Sequence, residues 1–283
     1  MNPQRLDLDL VRSLVKSWLA EDVGRGDATT LAVVPPDRLG RARLEAREPA
    51  VVAGLDVART CFEVASEGGV AWEAKVQDGQ EVATGDVLAF LDGPLGPILT
   101  AERTALNGLA RLCGVATITR LYVDAVSGTR ARVVDTRKTT PGLRALQKYA
   151  VRVGGGANHR FGLDDGVLIK DNHVAAAGGV GEAVRRASTG AGHGLRVEVE
   201  VTTLDELDEA LAAGADAILL DNMTPETVAQ AVQRTDGRAL LEVSGGVTLD
   251  TIRAYAETDV DLISVGALTH SAPTIDLALE VEQ

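Results

Sequence analysis

Hydrophobic residues in the second half of the chain cluster in short runs, each ending in polar or glycine residues and each followed by a segment with helical spacing. The runs cover residues 131–138, 166–173, 196–202, 217–223, 239–246 and 262–268. Helices are predicted between and after them at 143–151, 180–188, 204–213, 225–234, 249–256 and 275–281. Strand–helix units repeated at this spacing predict a parallel sheet.

Six or seven such strands closing on themselves would form an incomplete α/β barrel, and right-handed crossovers would bring every strand's carboxyl end to one mouth. An open doubly wound sheet is the alternative. No G-x-G-x-x-G follows a first strand, so the usual support for a dinucleotide-binding fold is missing and the barrel is favoured.

The first half of the chain has a different pattern. Apolar spacing predicts helices at 7–21, 55–65 and 98–126, the last with Gly114 as a candidate interruption, and strand at 41–52. Two short strands in 70–91 resemble the hairpins of lipoyl and biotinyl carrier domains. The nearby Lys75 precedes the Asp78-Gly79 turn and lacks a carrier motif, so a structural sheet is favoured. Asp27 and Thr29 could cap a helix or contact a substrate, but a role in the turn is favoured.

Composition narrows the class of protein. The chain has 283 residues, enough for one large α/β domain with or without a smaller one, and only 3% aromatic residues, so its core must be aliphatic. A net charge of -13 argues against nucleic-acid and anionic-membrane partners. The start is amphipathic rather than signal-like. Cys61 and Cys113 have no metal-ligand spacing, and a cytoplasmic protein with reduced, buried thiols is expected.

A basic island interrupts this acidic chain. Residues 130–173 contain nine Lys or Arg and four Asp or Glu, a formal +5 that leaves -18 for the rest. A solvated helix face is the alternative. Because several of these cations fall at predicted strand ends, where α/β folds collect functional groups, anion binding is favoured.

The predicted strand ends carry complementary chemistry, reading in order DTRK, KDNH, EVEVTT, LLDNM, EVSGG and SVGA. Cations come first, then the carboxylates Glu200 and Asp221, then glycine-rich turns that precede helices and suit a phosphate. Each has a simpler interpretation: a tight turn, an acid paired with lysine, or a helix cap. Together they predict a substrate with several anionic groups, including a phosphate, and a divalent cation such as Mg²⁺.

The longest such stretch, DTRKTTPGLRALQKYAVRVGGGANHRFGLDDGVLIKDNH, resembles the signature of the quinolinate phosphoribosyltransferase family. Collinear matches follow at EDVGRGDATT, ERTALNGLARLCGVAT, EVEVTTLDE, ILLDNMTPE, LEVSGGVTLD and ISVGALTHSAP. The resemblance implies an N-terminal open-faced α/β sandwich over 1–108 and an α/β barrel of fewer than eight strands over 109–271. It also implies that a C-terminal helix, 272–283, packs back on the first domain.

The resemblance implies a reaction as well. Quinolinate and 5-phosphoribosyl-1-pyrophosphate would give nicotinate mononucleotide, pyrophosphate and CO₂ with Mg²⁺, in de novo NAD synthesis. Arg137, His159 and Arg160 match the family's dicarboxylate pocket, and Arg103 matches an arginine supplied by the neighbouring subunit of a homo-oligomer, either a dimer or a hexamer.

The remaining family positions concern the phosphoribosyl donor. Lys138 and Lys170 match positions near the ribose and pyrophosphate, and Glu200 and Asp221 match the acids that hold ribose hydroxyls and Mg²⁺, partly through substrate or water. These four form the expected catalytic set. The rest of the expected substrate site is Thr136, Ser244, Gly245, Gly246, Val265, Gly266 and Ala267. The glycine run 154–156 is predicted to be a hinge or close-approach turn that delivers His159 and Arg160.

Two alternatives stay open at this level: a related phosphoribosyltransferase that takes nicotinate without decarboxylation, and a non-catalytic anion- or metal-binding relative. The order of substrate binding, the order of glycosyl transfer and decarboxylation, and the roles of Arg144, Lys148 and Arg152 are also open.

Overall fold

A computed structural model describes residues 6–282, and these divide into two compact units. The first unit contains the described residues through Arg120, then Ala145–Gly155, and the described residues from Ala272. The second contains Leu121–Arg144 and Gly156–Ser271. The first five residues and Gln283, which the expected domain ranges include, lie outside the described residues.

Helices and strands are numbered here in chain order. The helices are α1 (Leu8–Val23), α2 (Ala28–Val33), α3 (Leu55–Ala65), α4 (Leu95–Ala125), α5 (Arg144–Val153), α6 (Asp171–Ala177), α7 (Val180–Gly190), α8 (Leu204–Ala213), α9 (Pro225–Thr235), α10 (Leu249–Ala256) and α11 (Ala267–His270). The strands are β1 (Leu39–Ala46), β2 (Ala50–Val51), β3 (Ala71–Ala74), β4 (Glu81–Val82), β5 (Val87–Pro94), β6 (Arg132–Val134), β7 (Val167–Ile169), β8 (Val197–Val201), β9 (Ala217–Asp221), β10 (Leu240–Ser244), β11 (Leu262–Ser264) and β12 (Leu277–Val281).

The first unit is built on an antiparallel sheet in the order β12-β1-β5-β3. Its first helix, α1, is the one predicted at 7–21, and it buries Val11, Val15 and Leu19 on a single face. The Asp7 carboxylate accepts hydrogen bonds from two backbone N–H groups of the first turn, which satisfies donors that would otherwise lack a partner. Apolar spacing and a capping acid therefore specify this helix locally.

The predicted C-terminal helix is wrong. Residues Leu277–Val281 form β12, which pairs antiparallel with β1 from Ala42↔Val281 to Ala46↔Leu277. Leu277, Leu279 and Val281 alternate with less apolar residues, which is the period of a strand, and the unpaired edge of β1 supplies the hydrogen bonds. The segment returns to the first unit as expected, but as a sheet edge.

Helix α4 is continuous over 31 residues, so Gly114 does not interrupt it. A Cβ at position 114 would overlap the carbonyl of Pro273. The glycine therefore serves close backbone approach rather than a break. Across residues 6–282, even this long helix falls short of the apolar character that crossing a bilayer requires.

The second unit contains six parallel strands in the order β6-β11-β10-β9-β8-β7. A strand lies within each of the six predicted runs, and the predicted class, an incomplete α/β barrel plus an N-terminal α/β sandwich domain, is confirmed. The end strands β6 and β7 do not pair with each other anywhere in the part of the chain that the structure describes. Three of the predicted runs are too long: β6 ends at Val134, Asp171 opens α6, and Ala267 opens α11.

Candidate active site

A cavity of about 580 Å³ lies at the carboxyl ends of the six parallel strands. Every strand of the sheet, or the residues directly after it, contributes to the lining, including the end strands β6 and β7. The sheet therefore curves around one shared cleft. The volume of this cleft is in the range typical of sites that bind small molecules. This is the mouth that the strand–helix pattern predicts.

The cleft brings together eleven of the fifteen residues expected in the site: Thr136, Arg137, Lys138, His159, Arg160, Lys170, Glu200, Asp221, Ser244, Gly245 and Gly246. It also contains five that the sequence reasoning missed: Leu168, Leu219, Asn222, Glu242 and Ser264. For Glu242 a signal was present, since an acid inside the apolar run LLEVS is costly to bury without a function.

A buried aspartate joins the two parts of the basic island. Asp135, directly after β6, accepts from the Asn158 side-chain amide at 2.6 Å and from the His159 backbone N–H at 2.9 Å. Ala157 continues the connection through a parallel bridge to Val134. The segment that carries His159 is thus laid against β6, beside Arg137. The two basic motifs meet through one carboxylate that the sequence analysis did not single out.

The glycine run before this segment allows a close approach, as predicted. A Cβ at Gly154 would lie 2.5 Å from the Ala116 carbonyl oxygen, and Gly155 has a φ of +96°. Only glycine fits both demands without strain.

Arg137 and Arg160 form the cationic wall of the cleft. The Nε atom of each guanidinium is buried and donates to no acceptor within the described residues. Burial, and then the positive charge of Arg137, lowers the pKa of Arg160. Arg160 is held by a bond from Nη1 to the Gly166 carbonyl at 2.9 Å. Two crowded guanidinium groups with unused buried donors constitute a site for an anion with planar carboxylates.

His159 differs from the role expected of it. Its Nδ1 accepts a hydrogen bond from the Arg160 backbone N–H at 2.7 Å, so the ring proton belongs on Nε2. That atom lies 3.1 Å from a Glu198 carboxylate oxygen and 3.6 Å from one of Glu242. The imidazole therefore donates towards two acids and fixes the backbone that carries Arg160.

Those two acids lie deep in the barrel. Glu198 is 8% exposed and Glu242 is 1% exposed, and one oxygen of Glu242, Oε1, has no hydrogen-bond partner in the described structure. Burial, followed by the negative charge of Glu198, raises the pKa of Glu242 to about 7.

The other two cleft acids are partly accessible and lie on neighbouring strands. Glu200 Oε2 accepts from the Lys170 ammonium at 3.0 Å, and Asp221 Oδ2 accepts from the Asn222 side-chain amide at 2.7 Å. Lys170 is also the N-cap of α6, and its backbone N–H donates to His173 Nδ1 at 3.0 Å. Two carboxylates and a half-exposed ammonium at adjacent strand ends can bind a metal and a polyanion together.

The turn after β10 exposes its backbone to the cleft. Gly245 and Gly246 have φ values of +93° and +62°, a conformation that favours glycine. A Cβ on Gly245 would overlap the Asn222 side-chain oxygen. Because α10 begins just beyond this turn, its N–H groups form a cradle suited to phosphate.

Four expected residues do not line the cleft. Val265 is buried, and its backbone N–H donates to the Val134 carbonyl at 2.9 Å. Gly266 and Ala267 lie just behind the lining, where a Cβ at Gly266 would come within 3.2 Å of the Lys138 side chain. Arg103 belongs to the first unit, exposed on α4.

Arg144, whose role the sequence left open, connects two loops of the second unit. Its Nε donates to Thr139 Oγ1 at 2.9 Å and its Nη1 to the Phe161 carbonyl at 3.0 Å. These loops follow β6 and precede β7, the two strands at the open seam of the sheet. Arg144 thus links the two loops at the edge strands β6 and β7, which are not paired with each other in the described residues.

Comparisons with known proteins point to one family. Residues 115–280 match the family model described as quinolinate phosphoribosyl transferase, C-terminal domain, and residues 27–113 match the model of its N-terminal domain. The chain is 48% identical over 280 residues to the nicotinate-nucleotide pyrophosphorylase [carboxylating] of Mycobacterium leprae, covering 97% of this chain and 98% of that protein. It is 42% identical over 271 residues to a Bacillus subtilis protein named as a probable enzyme of the same kind, covering 96% and 93%.

Solved structures give the same result. The nicotinate-nucleotide pyrophosphorylase of Francisella tularensis superposes with a TM-score of 0.93 at 40% identity, covering 100% of this chain and 99% of that one. A human nicotinic acid phosphoribosyltransferase superposes with a TM-score of 0.61 at 13% identity, which shows a shared fold alone.

Proposed function

The chain belongs to the quinolinate phosphoribosyltransferase family, and from this premise we infer that it catalyses a decarboxylating phosphoribosyl transfer. Quinolinate and 5-phosphoribosyl-1-pyrophosphate react to give nicotinate mononucleotide, pyrophosphate and CO₂. The enzyme is thus a pentosyltransferase of de novo NAD synthesis. Its substrates are small molecules, which is consistent with the size and polarity of the cleft.

The observation that carries this proposal is the pair of buried, unpartnered guanidinium nitrogens of Arg137 and Arg160. Quinolinate has two adjacent carboxylates, whereas nicotinate has one. Buried donors left without acceptors are costly, and a dicarboxylate would satisfy both while offsetting the mutual repulsion of the two cations. Thr136 lines the cleft directly before Arg137 and supports the loop through a 3.0 Å bond from the Lys138 backbone N–H to its hydroxyl.

Other residues of the cleft suit the phosphoribosyl donor. We assign the 5-phosphate to the turn at Ser244, Gly245 and Gly246, with Val265, Gly266 and Ala267 supporting the neighbouring turn. Lys138 and Lys170 would balance the charge of the pyrophosphate, and Glu200 and Asp221 would accept hydrogen bonds from the ribose hydroxyls. The turn at Ser244, both lysines and both acids line the same cleft, which supports this assignment.

Glu200 and Asp221 also fit Mg²⁺. Both carboxylates line the cleft, on adjacent strands, and Mg²⁺ is commonly held by one or two carboxylates together with substrate oxygens and water. A bound Mg²⁺ would neutralise charge on the departing pyrophosphate.

In this mechanism the protein mainly positions and polarises its substrates. The cationic wall fixes the quinolinate ring so that its nitrogen faces the ribose carbon that pyrophosphate leaves, and such placement alone lowers a barrier substantially. Bonding at that nitrogen makes the ring a pyridinium, which stabilises negative charge on the adjacent carbon as CO₂ departs. Lys138 and Lys170 supply positive charge where the leaving group develops its own.

We also propose a homo-oligomer in which Arg103 completes the acid pocket of a neighbouring subunit. The side chain is exposed, and its positive charge acts on Glu102, the residue before it in the chain. The side chain is therefore available to a second copy of the chain.

Incubation of the purified protein with the phosphoribosyl donor, Mg²⁺ and either acid tests the activity. Quinolinate labelled with ¹³C in its 2-carboxylate should release labelled CO₂ and form nicotinate mononucleotide. Conversion of nicotinate without turnover of quinolinate would instead identify the non-decarboxylating relative. Turnover of neither acid, with both still binding, would identify a non-catalytic protein.

A further inference from the structure

We propose that Glu242 is the acid that protonates the pyridine carbon from which CO₂ leaves. The proposal rests on the function inferred above, because only a decarboxylating reaction leaves a carbon that must gain a proton.

The position of Glu242 supports this role. Its side chain lines the cleft from β10 while remaining 1% exposed, and it lies 3.6 Å from His159, next to the wall assigned to the dicarboxylate. Its Oε1 oxygen is buried and has no hydrogen-bond partner in the described structure. A polar group so placed needs either a ligand or a proton to offset its burial.

The neighbours of Glu242 favour the protonated acid. Glu198 from β8 already accepts the His159 Nε2 hydrogen bond, so the single ring proton serves that carboxylate. The other nearby groups are the Asp135 carboxylate after β6 and the Ser264 hydroxyl on β11. The His159 imidazole at 3.6 Å and the Ser264 hydroxyl act in the opposite direction and lower the pKa of Glu242, but burial and the negative charge of Glu198 come first among the causes. A second buried charge would be uncompensated, and with its pKa raised to about 7 the group can give up a proton at neutral pH.

A metal ion is the rival explanation for this cluster, since His159, Glu198 and Glu242 place three ligand-type atoms within 4.8 Å of one another. The tautomer argues against it. Nδ1 accepts from the Arg160 N–H, so Nε2 carries the ring proton and has no lone pair to give to a metal.

The proposed step needs no reactant other than the bound intermediate and the Glu242 proton. The bond from the ring carbon to the carboxylate breaks, CO₂ departs, and the electron pair stays on the carbon. That pair takes the proton of the Glu242 carboxylic acid to form the C–H bond of nicotinate mononucleotide. The resulting carboxylate regains a proton from solvent before the next turnover.

The test compares wild type with Glu242→Gln, which keeps the shape but has no acidic proton, and with Glu242→Asp, which keeps the acid. Glu209→Gln, exposed on α8, is the control. We expect Glu242→Gln to lower kcat about 10²-fold or more while quinolinate affinity changes less than about threefold. Wild-type kcat should fall as pH rises above about 7, this dependence should vanish in Glu242→Gln, and Glu242→Asp should restore part of the rate.

A second measurement reports the carbanion itself. If protonation is slowed, the intermediate should recapture CO₂, so Glu242→Gln under ¹³CO₂ should incorporate label into the quinolinate moiety more than wild type does. The proposal would be overturned if Glu242→Gln had the same kcat, pH profile and label exchange as wild type. It would also be overturned if the substitution raised only KM. If that variant does not fold, a flat wild-type kcat between pH 6 and 8.5 would overturn it. Absence of CO₂ release by wild type would refute the proposed function instead.

Discussion

The Lys170 ammonium lies 3.0 Å from Glu200 Oε2, so the tips of β7 and β8 share an ion pair inside the cleft. Half of the lysine side chain is exposed, whereas the glutamate side chain is 15% exposed. Lys170 can therefore turn towards a polyanion while Glu200 stays in place.

We predict that Lys170→Ala lowers kcat/KM for the phosphoribosyl donor by about 10- to 150-fold, the loss expected for one charge-assisted hydrogen bond. Quinolinate affinity should change little, because the cationic wall is intact. Steady-state kinetics with each substrate varied would measure both values. Arg185→Ala, on the exposed face of α7, is a matched control that should leave both unchanged.

The part of the cleft that binds quinolinate should not tolerate exchange of arginine for lysine. Arg160→Lys keeps a positive charge but loses the planar fork and the bond to the Gly166 carbonyl. We expect KM for quinolinate to rise by about 10²-fold, with KM for the phosphoribosyl donor nearly constant. An equal rise in both constants would contradict the assignment of Arg160 to the acid.

Mixing two inactive variants should restore activity if Arg103 acts across subunits. Lys138→Ala and Arg103→Ala are each expected to abolish most turnover without unfolding the protein, since both side chains are exposed. If each site combines Lys138 of one chain with Arg103 of another, a dimer containing one of each has one intact site. An equimolar co-refolded mixture should then recover about a quarter of wild-type activity. No recovery, with mixed dimers verified by mass, would show that each site takes both residues from the same chain.

Gly245 provides a test of the phosphate cradle. Gly245→Ala would force a side chain into a backbone with φ +93° and against Asn222, at a cost of about 1–3 kcal/mol. The turn should shift, and we expect KM for the phosphoribosyl donor to rise at least tenfold. Calorimetric binding of the donor would show the same loss. Gly214→Ala, at a helix end with a φ of +81° and open space around it, controls for backbone strain alone.

Glu242 should also make stability depend on pH. Its folded pKa of about 7 exceeds the ordinary glutamate value of 4.5, so the folded state binds more protons between these values. Its contribution is therefore most favourable below about pH 4.5 and declines as pH rises to about 7, by up to about 3 kcal/mol. Glu242→Gln lacks this titration. Thermal unfolding should show the Tm of wild type falling relative to Glu242→Gln between pH 5 and 8; parallel curves would contradict the assignment.

Much of the barrel follows from local sequence. Runs such as 217–223 are apolar, end in polar residues and lie between helical segments, so strand identity, parallel direction and a shared mouth all follow from chain order. Arg137, Lys170, Glu200 and Asp221 could be placed in the cleft for that reason. Their positions depend only on which end of a strand they occupy.

Features that depend on distant partners were harder to predict. Residues 275–281 were expected to be helical because they follow five strand–helix repeats, yet the edge of β1 draws Leu277–Val281 into a sheet. The overlooked acid pair had a local clue: side chains alternate along a strand, so Glu198 faces the same way as Glu200, and Glu242 the same way as Ser244. The tautomer of His159 depends on one backbone N–H and could not be foreseen from spacing.

The pairing of β1 with β12 has a consequence for synthesis of the chain. Ala42 and Val281 are partners that stand 239 residues apart in sequence. At about 5–20 residues per second on the ribosome, β1 emerges roughly 10 to 50 s before its outer neighbour exists. During that interval one side of β1 presents unpaired backbone groups to every other nascent chain nearby. Expression at a level that crowds many nascent chains together, or with β12 removed, should therefore favour inclusion bodies.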